Sequence, residues 1–191
     1  MSSLRSFHAE SETALWQQVA ADLQQQEDIL EYSADLHEGG YQMRLELEVD
    51  LGGGFEGGYE TTSFMALVPG APTLRFALHE QDWIHQLGKA LGMQDVQVGD
   101  PELDAAYIIK TNEPGRLQQL LAEPGVRAVL LKYQELRLDL VAAPEDTPGG
   151  VWLTFIKEQA IVEPEALREI YHMLLTLLRH LSPASANPSR R

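Results

Sequence analysis

The sequence predicts an α+β fold: an antiparallel sheet of about six strands with helices packed on one face, and long N- and C-terminal helices. Three observations carry this expectation. Apolar residues recur at helical spacing near both ends of the chain. In the middle they alternate with polar residues, as on a half-buried strand. Short connections rich in Gly and Pro join the alternating segments.

Taken in order, residues 10–26 read as a helix, because Leu15, Val19 and Leu23 recur every four residues with Trp16 and Ala20 beside them. Glu10 and Glu12 near its start suit the helix dipole. A mixed segment follows. From 41 to 51, Tyr41, Met43, Leu45, Leu47, Val49 and Leu51 alternate with Gln42, Arg44, Glu46, Glu48 and Asp50, which predicts a strand with one buried and one wet face. TTSFMALVP reads as a second strand, and Pro69, Gly70 and Pro72 as a turn. A third strand has Leu74, Phe76 and Leu78 inward, with Arg75 and His79 outward. The short connections favour an antiparallel meander. Residues 81–92 suggest a short helix capped by Asp82 and ended by Gly92. AAYIIK is a strand, and PGRLQQLLA and PGVRAVLLKY are helical turns opened by Pro. QELRLDLVA, with Leu136, Leu138 and Leu140 inward, and VWLTFIKE are strands on either side of the turn APEDTPGG. In the last helix, residues 164–181, Leu167, Ile170, Tyr171, Met173, Leu174, Leu175, Leu177, Leu178 and Leu181 widen the apolar arc to about 200°. A helix on a sheet needs about half of that, so this one is either deeply buried or shared with a second copy, making a homodimer through it a candidate.

The length of 191 residues suits one domain, residues 1–182, followed by a Ser/Pro/Ala-rich tail, 183–191, that is expected to be disordered. The absence of cysteine excludes a disulfide scaffold, cysteine-ligated metal and thiol catalysis, and fits a reducing cytoplasm. There are 29 acidic against 14 basic residues, for a formal charge of −15, and no two of the four lysines adjoin. Nucleic-acid binding is therefore not expected. The charge serves solubility or a basic partner. MSSLRSFHAESE lacks the apolar core of a signal peptide, and no segment has the ~20 apolar residues of a membrane span. A cytoplasmic location without membrane contact is the expectation.

Gly52, Gly54 and Gly57 in LGGGFEGGYETT fit the G-x-G-x-x-G spacing of phosphate loops. A dinucleotide loop must open a helix, but Tyr-Glu-Thr-Thr-Ser-Phe after Gly58 argues strand. A kinase loop needs a lysine on the next strand, and the first lysine is Lys89. The glycines therefore read as a hairpin turn. In HEQDWIH the two histidines stand six apart, which a helix rotates to opposite sides, so no metal site is expected. In GDPELD, Asp100 and Asp104 suit a turn and backbone hydrogen bonds better than acid–base work. His172 sits on a polar helix face with Glu165, Glu169, Thr176 and Arg179. No cofactor motif is found.

From 91 to 121 the chain carries Gly92, Met93, Gln94 and Asp95, then Gly99, Asp100, Pro101 and Asp104, then Ile108, Ile109 and Lys110. This stretch resembles a recurrent bacterial domain with a GMQD, GDPx(F/L)D and IIK pattern and no established activity; Leu103 stands where that pattern usually has Phe. The resemblance implies one intact α+β domain of bacterial origin and no catalytic residues.

Three functions are carried forward. The first is a non-enzymatic domain that binds a protein or a small ligand on its wet sheet face. Arg44, Glu46, Glu48, Arg75, Arg137 and Asp139 would line that face, with Gly54 and Gly57 of the hairpin beside it. The second is an acidic antagonist, an immunity-type protein or nucleic-acid mimic, which needs its carboxylates in one patch to hold a basic partner. The third is a hydrolase or transferase using Asp100, Asp104 and His79, which needs those groups within ~10 Å in one cleft.

Overall fold

Strict alternation from Tyr41 to Asp50 gives the longest run of extended chain its two faces, and the rest of the sheet is assembled around it. The computed structural model describes residues 4–26, 29–52, 57–70, 72–80, 93–142 and 150–182. In chain order the elements are β1 (Arg5–Ala9), α1 (Glu12–Leu23), β2 (Glu31–Glu38), β3 (Tyr41–Asp50), β4 (Tyr59–Val68), β5 (Phe76–His79), β6 (Gln94–Val96), α2 (Pro101–Ala106), β7 (Ile108–Thr111), α3 (Pro114–Leu121), α4 (Pro124–Lys132), β8 (Leu136–Ala142), β9 (Val151–Lys157) and α5 (Pro164–Leu181). The helix expected at 81–92 lies outside the described residues, as do Gly54, most of the turn before β9 and the C-terminal tail.

The strands form one nine-stranded sheet in the order β1-β2-β3-β4-β9-β8-β5-β7-β6. This corrects the expectation of about six strands in an antiparallel sheet. The sheet is mixed, because β1 runs parallel to β2, while every other pair is antiparallel. The meander is also corrected. β4 does not pair with the strand that follows it; β9 and β8 stand between β4 and β5. The pair of long terminal helices is corrected too: the described chain opens on a strand, and the helix after it has only 12 residues.

Each correction has a local cause. β1 has five residues and one large apolar side chain, Phe7, and β6 has three residues, too few to show a period. The core face of β2 presents Tyr32, Ala34, Leu36 and Glu38, two of which are small or charged. Glu38 is nonetheless buried, because Tyr171 donates its hydroxyl to one carboxylate oxygen (3.0 Å) and Arg179 an N–H to the other (3.1 Å).

The helices share one layer. Leu15, Trp16, Val19 and Leu23 of α1 and the whole apolar arc of α5 are buried in the same core as Met43, Leu45, Leu47, Phe64, Leu138, Leu153 and Phe155. Trp16 meets Tyr171 edge-on at 5.5 Å, and Phe64 meets Phe155 at 6.3 Å. The arc of α5 thus finds its partners inside the chain. Ser11 caps α1 by accepting from the Ala14 amide. Asp100 caps α2, and Pro opens α2, α3, α4 and α5.

β3 and β4 pair antiparallel out to Asp50 and Tyr59, so the glycine segment connects neighbouring strands. Gly58 is required there by close approach: a Cβ would lie 2.3 Å from the Asp50 carbonyl oxygen.

Candidate functional site

The face of the sheet turned away from the helices carries a second set of apolar residues. Met65, Leu67, Val141, Trp152 and Ile156 alternate with core residues along β4, β8 and β9, yet none of them belongs to the hydrophobic core or packs against it. Leu67 is 48% exposed.

Strand register arranges this face in rows. One row runs Asp35, Arg44, Met65, Thr154, Asp139 across β2, β3, β4, β9 and β8. The next holds Leu67, Trp152 and Val141. On the other side lie Glu46, Ser63, Ile156 and Arg137. A cleft of about 680 Å³ opens over the first two rows. Apolar walls from Met65, Leu67, Val141 and Trp152 surround a polar strip of Asp35, Arg44, Arg137, Asp139 and Thr154. The size is that of a small-molecule site.

Two ion pairs stand in this strip. Arg44 grips Asp35 with both ends of its fork, Nε to Oδ1 at 2.8 Å and Nη2 to Oδ2 at 3.2 Å. The side chain of Arg44 remains 42% exposed. This bond raises the already high pKa of Arg44, so it stays charged. Arg137 donates through Nε to Oδ2 of Asp139. Asp139 is only 1% exposed, and burial pushes its carboxyl up; the charges of Arg137 and His79 oppose that shift. Its Oδ1 and the Trp152 Nε1 are both shut from solvent, and neither makes a hydrogen bond among the described residues.

Of the residues expected at the site, the structure brings Arg44, Arg137 and Asp139 together in the cleft. Glu46 lies on the same face, one row outside it. Glu48 is exposed further along β3, directly opposite Glu31. Arg75 is taken away from the face: its guanidinium donates to the carbonyls of Pro72 and Leu74, and its amide to Asn112 Oδ1. Gly57 is exposed outside the cleft, and Gly54 lies outside the described residues. The cleft adds Asp35, Met65, Leu67, Val141, Trp152 and Thr154, which sequence reasoning missed. A signal for two of them existed, since Trp152 and Met65 fall on the face opposite the alternating core residues.

The carboxylates of GDPELD are engaged structurally. Asp104 accepts from the Val98 amide at 2.8 Å and the Gly99 amide at 3.0 Å. Asp100 accepts from the Glu102 and Leu103 amides and from Arg127, whose hydrogen bond holds its carboxyl below the usual range. His79 does not point into water as expected. It is fully buried, with Nδ1 2.7 Å from the Glu80 carbonyl oxygen. The small cleft beside Asp100 includes neither His79 nor Asp104. At the hairpin end of the sheet, Glu48, Asp50, Glu60 and Glu158 surround the exposed Leu51 and Tyr59. Among the described residues no group of three or more His, Cys, Asp or Glu is placed to hold a metal, and no helix is long and apolar enough to cross a membrane. No family model matches the chain, and no curated protein and no solved structure matches it.

Proposed function

We propose that the chain is a non-enzymatic binding domain that takes a small ligand on the sheet face turned away from the described helices. The observation that carries this reading is the 680 Å³ cleft over Met65 and Thr154. It combines apolar walls with a few converging polar groups, the combination a ligand site needs for affinity and for orientation. Catalysis asks for more: a nucleophile or acid–base pair aimed at one reacting atom. In the cleft each carboxylate is instead hydrogen-bonded to an arginine. A thermal-shift screen of the full chain against metabolite classes tests the reading, because a ligand bound to the native state raises the melting temperature. The expected result is a class of compounds whose stabilisation is lost in Trp152→Ala. Stabilisation that survives Trp152→Ala, or none from any class, counts against it.

A further inference from the structure

We infer that the ligand of this cleft is an amphipathic anion: a carboxylate, sulfonate or phosphate group attached to an aryl or alkyl body. The inference rests on the proposed binding face and adds the chemistry of its occupant. It comes from counting donors and acceptors. A guanidinium offers five N–H groups. Arg44 spends two of them on Asp35, and Arg137 spends its Nε–H on Asp139. Among the described residues the remaining N–H groups have no partner, so two cations line the cleft with donors to spare. The carboxylates that line the cleft are already paired with arginine. Both oxygens of Asp35 and one of Asp139 are used, and the other Asp139 oxygen is shut from solvent. A cationic ligand in the cleft would meet two guanidinium groups, and its lining carboxylates, Asp35 and Asp139, are each already paired with one of them. An anionic oxygen meets charge-assisted hydrogen bonds, the stronger kind, from groups that favour planar bidentate contact.

The layout fits a molecule with two ends. Arg44 on β3 and Asp139 on β8 are three strand spacings apart, about 14 Å, with Met65 and Thr154 between them. Arg137 stands one row to one side of this line, and Leu67, Trp152 and Val141 form the apolar row on the other. An anionic group on either arginine has the row of Leu67, Trp152 and Val141 within the same cleft to receive its apolar body. The chain's formal charge of −15 opposes an anion at long range. Charges further away than about 8 Å are largely screened at physiological ionic strength, so the two guanidinium groups decide at contact.

Two fluorescent probes with similar aryl bodies test this on the full chain: anilinonaphthalene sulfonate, which is anionic, and phenylnaphthylamine, which is neutral. One sulfonate probe should bind per chain, about tenfold more tightly than the neutral probe. Arg44→Gln should abolish that preference and leave the neutral probe unchanged. If Arg44→Gln does not fold, as judged by circular dichroism, Leu67→Glu removes part of the apolar wall for both probes and adds a fixed negative charge, so it should weaken the sulfonate probe more than the neutral one. Equal affinity for both probes, each lost in Trp152→Ala, overturns the anion inference and keeps the binding face. Binding of both probes that ignores Trp152→Ala overturns the binding face, and the inference with it.

Discussion

Phe64 and Met65 are neighbours on β4 and point to opposite faces of one sheet. Phe64 is fully buried, edge-on to Phe155, under a helical layer that its own chain supplies. Met65 is half-buried between Arg44 and Thr154, under no helix of the described chain. On the covered face the buried charges are satisfied: Lys157 donates to the Gln134 carbonyl at 2.6 Å, and Glu38 accepts from Tyr171 and Arg179. Trp16 Nε1 and the Tyr32 hydroxyl are buried there without a hydrogen bond among the described residues. On the other face, spare guanidinium donors and two unpartnered buried polar atoms stand among apolar side chains. Folding accounts for the first pattern. The second leaves guanidinium N–H groups at the cleft without a protein acceptor among the described residues, where a ligand with acceptor oxygens would meet them.

The sharpest way to break this contrast is to truncate both neighbours. Phe64→Ala should lower stability in urea by about 3–5 kcal/mol, since it removes a buried ring and leaves a cavity. Met65→Ala should cost about 1 kcal/mol, because little packing closes over it. Similar losses for the two would make the second face another core and remove the reason to look there for a site.

The two ion pairs of the cleft differ in the same sense. Arg137→Met strands a carboxylate that is 1% exposed, and should cost about 3 kcal/mol at neutral pH. Arg44→Met breaks a pair whose arginine is 42% exposed, and should cost about 1 kcal/mol or less. The pH dependence separates them further. Burial raises the folded-state pKa of Asp139, so its contribution to stability is fully present below the unfolded value and is lost as pH rises through the folded one. The deficit of Arg137→Met should therefore shrink on acidification, as the stranded carboxyl takes up a proton. A deficit that stays constant from neutral to acid pH would place its cause in packing.

Much of the covered face was legible. Tyr41 to Asp50, Leu136 to Leu140 and the stripe of α5 each repeat often enough for a period to show. β1, β2 and β6 were not, because they are short or carry small and charged residues at core positions. Their place is set by pairing with neighbours far away in sequence. The order of β4, β9, β8 and β5 was illegible for the same reason, since short connections favour adjacent strands and tertiary packing overrode that preference here. Three of the cleft's four charged residues, Arg44, Arg137 and Asp139, were found by asking what a wet face should expose. Its apolar half was not, because an inward and an outward apolar residue look alike until register is known. Arg75 was misplaced because it stands before β5 begins, where a turn redirects its side chain onto local carbonyls.

A smaller effect tests the covered side. Glu12 of α1 accepts from Arg168 Nε at 3.0 Å and lies 2.6 Å from His172 Nδ1, both on α5. Burial pushes its carboxyl up, but the hydrogen bonds from His172 and Arg168 together outweigh this and hold it low. A lowered carboxylate pKa gives stability that is present above the unfolded value and disappears as pH falls through the folded one. Glu12→Gln should therefore cost up to about 1 kcal/mol near neutrality and nothing in strong acid. A loss that persists in strong acid would mean that the helices meet by packing alone at this point.

The smallest expected effect is at Leu67, and it bears most directly on why an apolar residue is exposed there. Its side chain lies over Gly150, where an added Cβ would come within 2.5 Å of Leu67 Cδ1, and otherwise faces the cleft. Removing it uncovers a glycine backbone and some apolar wall, neither of which belongs to the core. Leu67→Ser should leave the unfolding free energy within about 0.5 kcal/mol of the parent. The same change should weaken any compound that depends on Trp152, because the two residues share a row of the cleft wall. Neutral stability with reduced ligand stabilisation would show that Leu67 serves the occupant of the cleft. A loss above about 1 kcal/mol, with ligand effects unchanged, would show that it serves the fold, and the two faces would then differ in degree only.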